Sequence, residues 1–120
     1  MTQQLLTVTT TPTAGQVTVL SAAGEIDHDS RLILEDAAHA ALQDGGSRLV
    51  LDLAAVTFCD SGGLSLFVDL HKKTAALGGQ LRLACVQPSV TAVLLATNLE
   101  RLLPLHPTVA EAVDAAQPIG

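Results

Sequence analysis

The side chains best placed to do chemistry are consecutive: Asp60-Ser61-Gly62-Gly63-Leu64. Ahead of them lies the apolar run Leu49-Val50-Leu51-Asp52-Leu53, which reads as a strand buried on both faces, followed by a connector from Ala54 to Cys59. Behind them Leu64, Phe67, Val68, His71 and Ala75 recur at helical spacing, and Gly78-Gly79 closes the helix. Ser61 therefore stands where a strand hands over to a helix. There unpaired backbone N–H groups and the positive end of the helix dipole face any anion the side chain carries. Asp60 is the expected N-cap, accepting from the N–H of Gly62 or Gly63, which is worth about 1 kcal/mol. Cys59 could pack on Leu64 as a hydrophobic staple. Two glycines in a first turn weaken a helix by up to about 1 kcal/mol each. Their expected role is to keep the surface over the serine bare for another macromolecule.

A nucleophilic serine needs a histidine held by a carboxylate. Cys59-Asp60-Ser61-Gly62-Gly63 differs by one residue from the box around the nucleophile of chymotrypsin-like proteases, but 120 residues cannot supply two barrels and the flanks read strand then helix. The Gly-x-Ser-x-Gly elbow fails at Cys59. His71 is ten residues along the same helix, about 15 Å away at 1.5 Å per residue. Of His28, His39, His71 and His106, only His28, beside Asp27, could serve a serine hydrolase. No histidine pair has ligand spacing, so no metal is expected. Gly62-Gly63 lacks the Lys-Ser/Thr of a phosphate loop, and no cofactor is expected.

The elements around this segment follow from pattern. Leu5 to Thr11 and Gln16 to Ala23 read as strands joined by the turn cluster Pro12-Thr13-Ala14-Gly15, hence a hairpin. Val17 and Val19 share one face; Thr18, Leu20 and Ala22 share the other. Gly24-Glu25-Ile26-Asp27 ends the second strand, and His28-Asp29-Ser30 offers N-caps for a helix from Ser30 to Gln43, stopped by Gly45-Gly46. After the central strand and helix, Gln80 to Cys85 is a strand. Gln87-Pro88 opens a helix with Val90, Val93, Leu94 and Thr97 inward and Asn98 as cap. Leu102 to Leu105 is an edge strand, demoted by Pro104. Thr108-Val109-Ala110-Glu111 is a capping box for a last helix to about Ala116, with Gln117 to Gly120 frayed. A leading hairpin followed by β-α units implies one α/β domain, a mixed sheet of four to five strands packed by about four helices.

Aromatics are 2% of the chain, so the core must come from Ala, Val, Leu and Ile. Six Lys and Arg stand scattered against twelve Asp and Glu, a net charge of −6. That supplies no basic face for nucleic acid or for an anionic membrane. Cys59 and Cys85 have no C-x-x-C spacing and read as buried thiols of a reducing compartment. With neither a signal sequence nor a run of about 20 apolar residues, a cytoplasmic protein is expected.

Three segments together resemble one family. Leu51-Asp52-Leu53, Val56-Thr57-Phe58 and Asp60-Ser61-Gly62-Gly63-Leu64 resemble the signature of STAS domains, in particular bacterial anti-sigma factor antagonists. Gly24-Glu25-Ile26-Asp27 resembles the family's motif at the end of the second strand, and Gly78-Gly79-Gln80-Leu81-Arg82-Leu83 with Pro88 a later segment. The match spans about 17–115 within a single domain of residues 1–120. The resemblance implies a non-catalytic protein that binds an anti-sigma factor carrying a GHKL-type serine kinase domain and so releases a sigma factor. The kinase would phosphorylate Ser61 and thereby end the complex; a PP2C-type phosphatase would reset it. The switch surface would comprise Asp27, Asp60, Ser61, Gly62, Gly63 and Leu64, with Asp27 close to Ser61. The family usually has Ser or Thr where this chain has Gly62. The alternative is an unswitched STAS scaffold or sensory module in a signalling assembly. A homodimer is left open.

Overall fold

The computed structural model describes residues 6–117. In chain order the strands are β1 (Thr7–Pro12), β2 (Val17–Ile26), β3 (Arg48–Cys59), β4 (Gln80–Ala84) and β5 (Leu105–His106); the helices are α1 (Arg31–Gln43), α2 (Ser61–Ala76), α3 (Pro88–Ala96) and α4 (Val109–Ala116). The sheet runs β1-β2-β3-β4-β5. β1 and β2 form the antiparallel hairpin, and the remaining neighbours are parallel. This is the α/β architecture the sequence implies. The start of β1 at Leu5 and the fraying of residues 118–120 lie outside the described residues. Gln117 is tied down, its side-chain Nε2 donating to the carbonyl of Ala14 (3.0 Å).

Alternation along the strands divides the core in two. Leu20 and Ala22, Leu49, Leu51 and Leu53, and Leu81 and Leu83 face α1, α2 and α3, which contribute Leu34, Ala38, Phe67, Leu70, Val90 and Leu94. On the other face Val17, Val19, Val50 and Ala84 pack on Ala112 and Ala116 of α4, with Val109, Val113 and Cys85 partly buried around them. The expected split of Val17 and Val19 from Leu20 and Ala22 holds.

The longest departure from the sequence reading is β3. Ala54 to Cys59 is strand, not connector. Ser21 pairs with Asp52 but Ala23 with Ala55, and Gly24 with Val56 but Glu25 with Phe58, so each interval holds one more residue in β3 than in β2. Such bulges break the alternation by which a strand is recognised. β2 correspondingly runs on to Ile26. On α2 the buried line is Gly63, Leu64, Leu66, Phe67, Leu70 and Thr74, whereas Val68 and His71 are half-buried and Ala75 is exposed. On α3 only Val90 and Leu94 are buried, and Val93 and Thr97 are exposed. Both helices are apolar around much of their circumference, so periodicity left their rotation undetermined by about one residue. β4 stops at Ala84, because Cys85 takes φ +58°, and Cys85 is half-buried rather than buried. β5 begins after Pro104 and includes His106.

Helix ends are set locally. Gly45 and Gly78, both at positive φ, follow α1 and α2. At α2 the N–H of Gly79 bonds the carbonyl of Thr74 (2.8 Å) and that of Gly78 the carbonyl of Ala75 (3.0 Å); at α1 Gly46 reaches Ala41 (3.0 Å) and Gly45 reaches Leu42 (3.2 Å). These paired bonds are Schellman motifs. Asn98, in the left-handed region, does the same service after α3. Thr108 caps α4 by accepting from the N–H of Glu111 (3.1 Å). Thr74, the buried polar side chain of the core, is satisfied within its own helix, donating to the carbonyl of Leu70 (2.9 Å).

The second glycine after α2 has a packing reason as well. A Cβ on Gly79 would lie 1.7 Å from the carbonyl oxygen of Ser47, whereas one on Gly78 would meet open space. Gly79→Ala is expected to lower stability by about 1–3 kcal/mol or more through overpacking against rigid backbone. Gly78→Ala should lose about 1 kcal/mol from its backbone conformation alone. Urea midpoints of the two variants test that order.

Candidate functional site

Two turns meet at the C-terminal ends of β2 and β3. The first, Asp27 to Ser30, joins β2 to α1. Asp27 Oδ1 accepts from the N–H groups of Ser30 (2.8 Å) and Asp29 (3.1 Å). Ser30 Oγ accepts from the N–H of Asp27 (2.9 Å) and donates to the carbonyl of Glu25 (2.8 Å). Ser30 occupies the cap position of α1 but is itself helical, and its hydroxyl points back into the turn instead of capping. Asp27 is the residue that holds the turn. The hydrogen bonds from Ser30, backbone first and then side chain, hold its carboxyl below the ordinary aspartate value of 3.8, against a smaller desolvation effect.

The second turn carries Asp60 from β3 into α2. Asp60 Oδ1 accepts from both Gly62 N–H (2.8 Å) and Gly63 N–H (3.3 Å), the expected N-cap. Its Oδ2 accepts from the N–H of His28 (3.3 Å), and its own N–H donates to the carbonyl of Ile26 (3.1 Å). One carboxylate thus caps α2 and fastens the Asp27–Ser30 turn to it. This contact across 32 residues has no sequence signal.

The glycines answer to the same contact. A Cβ on Gly62 would lie 3.0 Å from His28 Cα, and one on Gly63 2.5 Å from Cys59 Sγ and 2.8 Å from Ile26 Cγ2. This close approach is a packing reason for the two glycines in addition to the expected baring of the surface over Ser61, which is exposed. They admit the end of β2 and its turn against the first turn of α2. Cys59 is buried, and burial, with the charge of Asp60 beside it, pushes its thiol up to about 12, which makes it an inert packing group.

Of the six residues singled out, Ser61 is exposed, Asp27, Asp60 and Gly62 are half-buried, and Gly63 and Leu64 are buried beneath them. Gly63 and Leu64 act on the surface through packing. From Ser61 a shallow groove of about 330 Å³ runs between α2, with Leu64, Ser65 and Val68, and the end of α3, with Thr97 and Leu99. Phe58, one of two aromatics in the chain, is 48% exposed two residues before Asp60. The sequence reading missed Phe58, Thr97, Leu99 and the backbone of His28. An aromatic outside the alternation of β3 was the only signal available.

Among the described residues no hydrogen bond joins Ser61 to a histidine, and Asp27 Oδ1 and both Asp60 oxygens hold backbone N–H groups. His28 lies near the serine but is not oriented by a carboxylate as a triad requires. Among the described residues no three His, Cys, Asp or Glu side chains are grouped to hold a metal ion, and no helix is long and apolar enough to cross a membrane.

Comparison with known proteins agrees with this architecture. The chain belongs to the STAS domain family, whose model matches residues 8–112. An anti-sigma factor antagonist from Mycobacterium paratuberculosis is similar at 30% identity over 92% of this chain and 93% of that one, with a TM-score of 0.80. An anti-sigma-factor antagonist (STAS) domain protein from Planctomyces limnophilus shares the fold at 24% identity, 91% and 97% coverage and a TM-score of 0.76. So does the phosphorylated form of the Bacillus cell fate determinant SpoIIAA, at 20% identity, 92% and 100% coverage and a TM-score of 0.72. A search of curated protein sequences returned no match.

Two outcomes test the geometry. Asp60→Ala removes the cap and is expected to lower stability by about 1–2 kcal/mol in denaturant titration. Asp27 has its proton affinity depressed by folding, so its contribution is present above the unfolded carboxylate range and fades as pH falls through the lower folded value. The stability gap between wild type and Asp27→Ala should accordingly be widest near neutral pH and close progressively in acid.

Proposed function

We propose that the chain is an anti-sigma factor antagonist. It binds an anti-sigma factor that carries a GHKL-type serine kinase domain, and phosphorylation of Ser61 ends that binding. A PP2C-type phosphatase restores the free hydroxyl. The similarity to anti-sigma factor antagonists, one of them at 30% identity over nearly the whole chain, supports the role. The observation that carries the switch is the position of Ser61. It is an exposed first residue of α2 whose neighbouring N–H groups are already capped by Asp60, so its hydroxyl is free for a partner or for modification.

Phosphorylation adds about −1.5 to −2 charges. At a helix N-terminus the dipole tolerates an anion even with the Gly62 and Gly63 N–H groups engaged by Asp60, so the domain keeps its fold. Beside Asp60, and near the turn of Asp27, the phosphate makes a concentrated negative spot on a chain already at −6. A partner surface fitted to a neutral hydroxyl then meets repulsion and a desolvation penalty. The groove beside Ser61 and the exposed ring of Phe58 give that partner apolar contact. Buried aromatics commonly carry a large share of interface energy.

With the cognate kinase and ATP, mass spectrometry is expected to find one phosphate, on Ser61. Ser61→Asp should weaken the complex at least tenfold, about 1.4 kcal/mol, while Ser61→Ala keeps binding and takes no phosphate. Phosphate on another residue would sink the assignment. Binding indifferent to Ser61→Asp, with no phosphate taken up, would instead identify an unswitched STAS scaffold.

A further inference from the structure

The two edges of the sheet are built differently. β5 is two residues long, lies between Pro104 and Pro107, and has its His106 ring bonded to Arg82 Nη1 (3.0 Å). Short strands and prolines are devices that stop one sheet edge from pairing with another. β1 has none of them along its length. Its six residues, Thr-Val-Thr-Thr-Thr-Pro, carry no charge, and the one proline is the last. Its register with β2 runs from Thr7 opposite Ala23 to Pro12 opposite Thr18 without a bulge. Among the described residues no strand pairs with its outer side.

A second observation lies beside that edge. A groove of about 440 Å³ opens between β1 and α1, lined by Thr10, Ala37, Ala40, Ala41, Gln43 and Asp44. The alanines leave room there for side chains of a strand added outside β1. Ile33, one turn before Ala37 on the same side of the helix, is 40% exposed.

We propose that β1 is a homodimer interface, two copies pairing β1 to β1 antiparallel in one ten-stranded sheet. Symmetry selects the register. A two-fold axis normal to the sheet keeps each face on its own side, so opposed residues share a face and the axis passes midway between one residue and its own copy. With Thr10 on the axis, Pro12 falls opposite Val8 and the ladder loses a donor. With Thr9 on the axis, Thr7 pairs with Thr11 and Val8 with Thr10, and Pro12 stays outside. Thr7, Thr9 and Thr11 then form a ladder of β-branched side chains with their counterparts, a favourable cross-strand pairing. Val8 and Thr10 of each copy turn toward the alanine groove of the other. Although each chain is at −6, β1 itself carries no charge, so two copies can pair along it without opposing like charges, which makes a second copy a fitting occupant. The interface uses none of the residues of the proposed switch, and the two readings fail separately.

Light scattering coupled to gel filtration across a dilution series is expected to give twice the 12.3 kDa of the chain. Opposed residues in an antiparallel pair are about 4.5–5.5 Å apart at Cα, within disulfide span. In a Cys85→Ser background, Thr9→Cys should therefore cross-link on mild oxidation. Thr11→Cys, four positions from its own counterpart's partner, should not. Ala40→Glu changes an exposed helical position; its circular dichroism should match wild type while the dimer weakens at least tenfold. A monomer at every concentration, equal cross-linking at both positions, or a dimer unaffected by Ala40→Glu would overturn the proposal.

Discussion

The carboxylate of Asp60 is the interaction on which the rest of the site depends. One oxygen closes the start of α2 and the other holds the backbone of His28. Each bond replaces one to water and is modest taken singly. Together they fix the angle between a helix start and the turn that leaves β2, and so decide what stands beside Ser61. The glycines at 62 and 63 follow from that constraint. Any side chain there would need to displace the end of β2, its turn or Cys59. The loss of helix propensity is accepted because two pieces of backbone must approach closely.

The sheet presents this site through a register device. The two additional residues in β3 let it keep pace with β2 while twisting away, so Cys59 still faces the core and Phe58 faces out. Bulges of this kind re-aim side chains at the ends of strands. Cys59 is sealed under the helix start, and its raised thiol keeps it from competing chemically with the exposed serine next along. The site therefore offers the exposed hydroxyl of Ser61 at the first residue of α2.

The two outer strands complete a division of labour. The proposed switch surface collects where β2 and β3 end, and the parallel strands and their crossovers fix that end. The hairpin strand β1 lies to one side, open along an uncharged edge, whereas β5 is closed off by proline and brevity. An edge left open in an otherwise well-guarded sheet suggests use, as the groove along α1 does.

Sequence alone determined what depends on neighbours in the chain. The caps at Asp60 and Thr108, the Gly-Gly stops after α1 and α2, the hairpin and the order of elements are all set by hydrogen bonds and backbone preferences within a few residues. The STAS resemblance was legible for the same reason, since its motifs sit at such turns. Tertiary structure decided the rest. The length of β3 was hidden because bulges erase alternation. The facing of α2 and α3 was hidden because their apolar residues cover more than one side. The packing reason for Gly62 and Gly63 was hidden because it lies in His28 and Ile26, more than thirty residues earlier. Contacts between distant segments obey packing and close approach, and no local pattern encodes where those segments will meet.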